Sequence, residues 1–356
     1  MARRSRLVDV AKMAGVSPAT VSRAVSQPEL LTKSTLDHVL QVARELGYAP
    51  YGMARALASG RTMTIGAIVP TLDSTIFARM LQALQLQLGR DGYQLLVASH
   101  EFSAAAEAEA IRTLLSRGVD GLTLVGAERS EDAIRMIASA KTPVALTWCG
   151  HPDHLSVTVD NERAGRLAAE HVLALGHRRI GMVVGHLQFN DRQRARLAGA
   201  RQALRAAGLE LPDWMVSEQA LTLAGGRAGC ATLLEIDPSP SAIIGGIDII
   251  AIGCMQEGQA RGLGVPDALS IVGIDDIDMS AHLTPSLTTV HIPTSRIGQE
   301  TARKLVAELR GDQVERQTEL PIELVVRRST APRSADSDLA RSAISRNREA
   351  ATSQEG

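Results

Sequence analysis

The sequence predicts an α/β protein in which a small basic three-helix domain precedes two doubly wound α/β lobes with a cleft between them. Three observations carry this. At 356 residues with 45% hydrophobic and 22% charged residues, the chain exceeds what one small core needs and is too apolar to be disordered, so two or three globular domains are expected. Charge is unevenly spread: the formal net charge is -1, but residues 1–61 hold nine Lys or Arg against four acids, a balance of +5 that leaves -6 for the remainder. From Thr64 onward, short continuous apolar runs alternate with amphipathic stretches, the pattern of parallel strands covered by helices on both faces.

Residues 6–48 read as three short helices. Leu7, Val10, Ala11 and Ala14 keep a 3, 4 spacing until Gly15 and Val16 interrupt it. Ser17-Pro18 restarts the pattern as an N-cap followed by proline in the first turn. The second helix therefore begins at Ser17 and turns Val21 and Val25 inward, Pro18, Ala19, Ser22 and Arg23 outward. A third helix starts near Thr32, with Leu36, Val39, Leu40, Ala43 and Leu46 as its inner stripe, and ends at Gly47. So small a core makes a marginal unit. Tyr51–Ser59 suits one more helix, too short to persist alone in water and so conditional on a partner, and Gly60 ends it.

Strands at TIGAIVP, YQLLVAS, GLTLVG and PVALTW are separated by helices at 75–90, 104–117 and 130–140. After Val157–Asp160 the alternation resumes with a helix at 161–175, IGMVVG, helices at 192–207 and 224–235, AIIGGI, a helix at 248–262 and SIVGIDD. Ligands of open α/β sheets sit beyond the C-terminal ends of the strands, so two such lobes place a binding cleft between them. Residues 333–356 carry only Leu339 and Ile344 as large apolar side chains and read as a disordered tail.

Several classes are set aside. Cys149, Cys230 and Cys254 are odd in number and form no CxxC, which speaks against a disulfide framework or a zinc site and for a reduced, cytoplasmic protein. The N-terminus lacks the apolar stretch of a signal peptide, and no run approaches the roughly 20 apolar residues of a membrane helix. Three Phe, three Tyr and two Trp are too few to stack unpaired bases in series. The nine histidines form no HExxH, and no GxSxG elbow, P-loop or GxGxxG follows a strand, so no cofactor, metal or catalytic residue is predicted.

The segment LVDVAKMAGVSPATVSRAVSQPELLTKSTLDHVLQVARELGYAP resembles the DNA-binding domain of the lactose-repressor (LacI/GalR) family. GRTMTIGAIVP, GYQLLVAS, SRGVDGLTLV, VDNERAGRLAAEHVLALGHRRIGMV, RARLAGARQAL and SIVGIDD with TPSLTTVHIP match later landmarks in family order, so the resemblance spans residues 6 to about 330. It implies a helix-turn-helix domain over 1–50, a hinge helix and linker over 51–62, and an effector-binding core of periplasmic-binding-protein type over 63–332. Lobe 1 would take about 63–160 and 293–319, lobe 2 about 161–290 and 320–332, with 333–356 as the tail. The implied function is a ligand-responsive transcriptional regulator, a repressor, that binds a palindromic operator as a homodimer in the cytoplasm, nucleoid-associated when on DNA.

The first block has its own physical logic. A helix whose first turns expose small residues and an Arg can enter the major groove, about 12 Å wide, and present side chains to base edges. Arg23 is the candidate for a bidentate guanine contact. By resemblance, Ser17, Thr20, Ser22, Ser26 and Thr35 contact phosphate, which orients the domain without reading sequence. Pro18 and Ala19 occupy the positions through which family members choose operators, and neither can hydrogen-bond a base, which leaves shape and methyl contact. Leu57 matches the hinge leucine that wedges into the minor groove, with Ala54 and Arg55 beside it.

In the cleft, the resemblance places Arg196, just before Leu-Ala-Gly, and Asp275, in the late strand-end motif, against the effector, with Phe77 retained. Three pocket positions depart from the common pattern: Trp148 replaces an Asp, Ile247-Asp248 replaces Asn-Asp, and Leu221 stands for the usual aromatic floor. Losing an acid and an amide removes acceptors for neutral sugar hydroxyls while Arg192, Arg194 and Arg196 remain nearby, so of the sugar-like effectors expected here an anionic one such as a sugar acid is favoured over a neutral sugar. Two other classes share the architecture. A transporter's solute-binding protein would need a signal peptide and no basic headpiece, and an α/β enzyme would need a nucleophile–base pair or a cofactor loop.

Overall fold

Three helices pack around a minimal core at the N-terminal end of the computed structural model, which describes residues 5–27, 30–48, 61–236 and 239–333. They are α1 (Leu7–Ala14), α2 (Pro18–Ser26) and α3 (Lys33–Glu45). Gly15, at φ 62°, ends α1 in the left-handed conformation that a side chain disfavours. Ser17 Oγ accepts from Thr20 N at 3.1 Å to cap α2, and Thr32 Oγ1 accepts from Thr35 N at 3.4 Å to cap α3. Val10, Ala11, Ala14, Val21, Ala24, Val39 and Val42 fill the core. Here the stripe expected of α3 is corrected: Leu40 is 38% exposed and Val42 is buried. Because α3 packs on both α1 and α2, its buried face centres on Val39 and Val42, and Leu40 falls at the edge. The predicted hinge helix and the tail beyond Arg333 lie outside the described residues.

Among the described residues the body holds two six-stranded sheets. In the first, β1 (Thr64–Val69), β2 (Gln94–Ser99), β3 (Gly121–Val125), β4 (Val144–Trp148), β5 (Leu155–Thr158) and β11 (Gln317–Glu319) run in the order β11-β5-β4-β3-β1-β2, all parallel. Helices α4 (Thr75–Arg90), α5 (Ala104–Ser116), α6 (Glu131–Ala140) and α12 (Thr294–Arg310) cover it. The second sheet comprises β6 (Ile180–Gly185), β7 (Val216–Gln219), β8 (Ala242–Gly245), β9 (Ser270–Asp275), β10 (Thr288–His291) and β12 (Glu323–Val325), in the order β12-β10-β9-β8-β6-β7. Only β12 in this sheet is antiparallel to its neighbour. Its helices are α7 (Asn161–Ala174), α8 (Asp191–Ala206), α9 (Leu223–Leu234) and α10 (Asp248–Ala260), with the short α11 (Asp278–His282) after β9.

The chain passes between the sheets three times: after β5, after β10 and after β11. Buried Val159, Ile292, Leu320 and Ile322 occupy these passages, so the connections belong to the core and can bend only as a set. The apolar runs of the sequence are the buried strands, with β1, β3, β4, β6, β8 and β9 burying nearly every residue. Edge strand β2 differs: despite its apolar sequence it leaves Leu96 and Val97 partly exposed.

One helix crossing sets the position of everything in the cleft. Where α7 meets α8, a Cβ on Gly165 would lie 1.8 Å from the Arg196 carbonyl oxygen, and one on Gly199 would lie 1.8 Å from the Glu162 carbonyl oxygen. With Ala164, Ala168, Ala200 and Ala203 also buried there, small residues let the two backbones touch and bring Arg196 against Asn161. The Gly199→Ala protein is expected to lose at least about 1–3 kcal/mol of unfolding free energy. Gly89→Ala, where a Cβ meets nothing within 4 Å, should be neutral or stabilising by up to about 1 kcal/mol. Urea denaturation of the two variants provides the comparison, and equal midpoints would contradict the crossing constraint.

Candidate DNA-reading surface and ligand cleft

The two helices α1 and α2 are joined through Gly15, Val16 and Ser17, so α2 leaves the turn with its N-terminus projecting. Val21 and Ala24 face the core while Ser17, Pro18, Ala19, Ser22 and Arg23 are exposed. Thr20 and Thr35 are half-buried, and each hydroxyl meets its cap residue: Ser17 Oγ to Thr20 Oγ1 is 2.9 Å, and Thr32 Oγ1 to Thr35 Oγ1 is 2.8 Å. Ser26 closes α2. Six of the eight expected headpiece residues thus lie in the first seven residues of one helix and its cap. Ala54, Arg55 and Leu57 fall outside the described residues.

The cleft is organised around a buried guanidinium. Arg196, on α8, donates from Nη1 to the Gly246 carbonyl at 2.7 Å and from Nε to Asn161 Oδ1 at 3.2 Å. Its Nη2 lies 3.1 Å from Asp275 Oδ1, with both side chains 2% exposed. Asn161 in turn donates from Nδ2 to the Trp148 carbonyl at 3.1 Å. Arg196, Phe77, Trp148, Leu221 and Ile247 line one cavity, where the Phe77 and Trp148 rings meet edge-on at 5.4 Å between centroids. Asp275 stands behind Arg196 instead of lining the cavity. Trp148 (φ 66°), Phe102 (φ 59°), Phe189 (φ 52°) and Asp275 (φ 128°) all hold left-handed backbone conformations that are costly for residues with side chains, and all four lie at this cleft or support it.

Further residues join the site without having been singled out as pocket residues from the sequence. Asn190, Gln193, Phe102, Thr71 and Ser74 line the same cavity. Gln193 accepts from Gly185 N and donates to the Gly246 carbonyl, which ties α8 to two strand ends. Arg192 is buried beside Asp191 at 3.0 Å, while Arg194 reaches across to an ion pair with Glu128. Asp191 Oδ2 also accepts from Ala127 N at 2.6 Å, so α8 of the second lobe is fastened to the β3–α6 loop of the first. Gly126 suits this position, since its φ of 76° disfavours a side chain and a Cβ would sit 2.5 Å from Arg192 Nη1. A signal for Arg192 was present: it stands four residues before Arg196, on the same helix face. Asp248 is fully buried and accepts from Ile277 N, Ser280 Oγ and Thr289 Oγ1, so it shapes the strand end that carries Asp275.

Residues 6–51 match the family described as bacterial regulatory proteins, lacI family, and residues 169–330 match a periplasmic binding protein-like domain. The chain is 31% identical over 335 residues to the HTH-type transcriptional regulator DegA of Bacillus subtilis (strain 168), with 92% of this chain and 99% of DegA aligned. The chain belongs to the LacI family. It is 32% identical over 330 residues to the HTH-type transcriptional repressor PurR of Pasteurella multocida (strain Pm70), covering 91% of this chain and 98% of PurR. Its structure superposes with a TM-score of 0.82 and 28% identity on the Lac repressor dimer bound to operator and the anti-inducer ONPF, covering 92% of this chain and 100% of that one. These relatives are transcriptional regulators and not enzymes, and like other LacI-family members the chain pairs a DNA-binding headpiece with a periplasmic binding protein-like body. Among the described residues, no helix is long and apolar enough to cross a membrane and no group of three or more His, Cys, Asp or Glu is placed to hold a metal ion.

Burial and neighbouring charges together set the electrostatics of this LacI-family cleft. Burial pushes the Cys149 thiol up to about 12, so it stays protonated. Burial works to raise Asp191, but Arg192 and the Ala127 and Arg192 backbone N–H groups outweigh it and hold the carboxyl below its usual range. Burial pushes Asp275 up to about 7 against the pull of Arg196. A carboxyl whose folded pKa is raised keeps a proton that the unfolded chain has lost, so its contribution to stability is full below about 3.8 and is lost as pH rises through about 7. The melting temperature is expected to fall more between pH 5 and pH 8 in the wild type than in Asp275→Asn. Parallel melting curves against pH for both would refute this.

Proposed function

We propose that this LacI-family chain is a ligand-responsive repressor that binds a palindromic operator as a homodimer in the cytoplasm and is controlled by a small sugar-like or sugar-acid effector in the interlobe cleft. The observation that carries the DNA half is the exposed face of α2: Pro18, Ala19, Ser22 and Arg23 point to solvent while Val21 and Ala24 hold the helix to the core. In this reading α2 lies in the major groove, Arg23 forks onto a guanine, and Ser17, Thr20, Ser22, Ser26 and Thr35 hold phosphates. Pro18 and Ala19 select operators by shape and methyl contact, and Leu57, with Ala54 and Arg55, opens the central minor groove.

One headpiece reads only a half-site, so a two-fold operator calls for two chains. Leu96 and Val97, partly exposed on edge strand β2, support pairing between protomers. The operator-bound dimer of the Lac repressor, similar along nearly the whole chain, supports the same arrangement. Phe77, Trp148, Arg196, Leu221 and Ile247, with Asp275 behind Arg196, would form the effector pocket. Effector binding would favour one relative orientation of the lobes and change operator affinity by linkage of about 1–3 kcal/mol.

Fluorescence anisotropy with duplexes selected from a random palindromic library tests the DNA half. Binding should weaken linearly in log affinity against log salt as counterions are released, and removing residues 1–61 should abolish it. Arg23→Ala should cost about 1–3 kcal/mol and relax preference at one base pair per half-site. Unchanged affinity after the truncation, or an Arg23→Ala protein with full sequence preference, would overturn the assignment.

A further inference from the structure

The cleft contains two chambers that share Phe102 and Arg192, and apart from that shared Arg192 their charged side chains are of opposite sign. The first is lined by Arg192 and Arg196 and by no carboxylate. Trp148, also in its wall and 1% exposed, has an indole N–H without a hydrogen-bond partner. The second is lined by Glu107, Glu128 and Asp191, together with His100, whose buried Nδ1 has no partner. Burial, with Arg192 and Arg129 close by, lowers His100 to about 4, so the ring is neutral near pH 7 and its unpartnered nitrogen is open to a hydroxyl. Burial likewise raises Glu107, although Arg129 lies 3.5 Å away.

We propose that the cleft takes a polyhydroxylated carboxylate, a sugar acid, oriented with its carboxylate against Arg192, Arg196 and the Trp148 N–H and its hydroxyl-bearing end in the chamber of His100, Glu107 and Glu128. The proposal rests on the cleft being the effector site and adds the ligand class and its direction. A carboxylate accepts only, and guanidinium forks and an indole N–H donate only. A hydroxyl donates one proton, and a carboxylate oxygen or a neutral imidazole nitrogen can receive it. Arg192 is the pivot: it spends Nη1 on Asp191 and lies in the wall of both chambers. A neutral sugar placed in the same direction would meet donors at its leading end with no anion to offer them.

The test is calorimetry and thermal shift on the full chain with D-gluconate, D-galactonate, D-glucuronate and D-galacturonate, each beside its neutral parent, D-glucose or D-galactose. At least one acid is expected to bind about tenfold or more tightly than its parent, as loss of a charge-assisted contact would require. Trp148→Phe, which keeps the ring and removes the N–H, should lower that preference, and Arg192→Gln should abolish it. His100→Ala should weaken the acid without improving the neutral parent, which keeps the test open should Arg192→Gln not fold. Equal or tighter binding of the neutral parents overturns the proposal while leaving the cleft as an effector site. Acid binding that all three variants leave unchanged overturns the orientation, and binding of no acid overturns the ligand class.

Discussion

The structure depends on one buried guanidinium. Arg196 is held by the Gly246 carbonyl, by Asp275 and by Asn161, and Asn161 grips the Trp148 carbonyl at the end of a strand in the other sheet. A charge this deep is tolerable only when its donors are used, and removing one partner would leave the rest uncompensated. The network therefore fixes the strand ends of both lobes relative to α8. It is reachable only because Gly165 and Gly199 let α7 and α8 approach to backbone contact. The small residues of the ERAGR and RLAGA segments thus serve the polar site, although they carry no functional group themselves.

From that centre the two lobes are fastened at a second place. Asp191 receives the Ala127 N–H, and Arg194 pairs with Glu128, both at the N-terminal turn of α8. These contacts close the cleft from its rim, while Arg196 organises it from within. A ligand that enters between Arg192 and Trp148 touches both sets, so its binding energy can differ between open and closed arrangements. Such differential affinity is the only means by which a ligand shifts an equilibrium.

Much of this was legible in the sequence for identifiable reasons. The start of α2 followed from Ser17-Pro18, and β1, β2, β3, β4, β6, β8 and β9 followed from continuous apolar runs, because cap chemistry and burial are local signals. The stripe of α3 was misassigned at Leu40 because periodicity alone cannot say how two neighbouring helices divide one face. Strand β7, Val-Ser-Glu-Gln, carries no apolar run, and β11 and β12 are three-residue edge strands too short to stand out in the sequence. Five of the six expected effector residues line one cavity, and the sixth, Asp275, stands behind it, 3.1 Å from Arg196. The chamber of His100, Glu107 and Glu128 was not legible, since its members come from separate segments that only the packing of the first sheet brings together.

In the proposed function, closure between the lobes is coupled to the DNA-reading end. It can be tested without knowing the ligand by replacing Glu128 and Arg194 with cysteine and joining them with a short bis-maleimide, half-buried Cys149 being protected by its raised pKa and Cys230 and Cys254 by burial. Operator affinity is then measured by anisotropy before and after cross-linking. The account predicts a change of about fivefold or more, within the range of ordinary coupling energies. Identical affinities for the linked and unlinked proteins would contradict it.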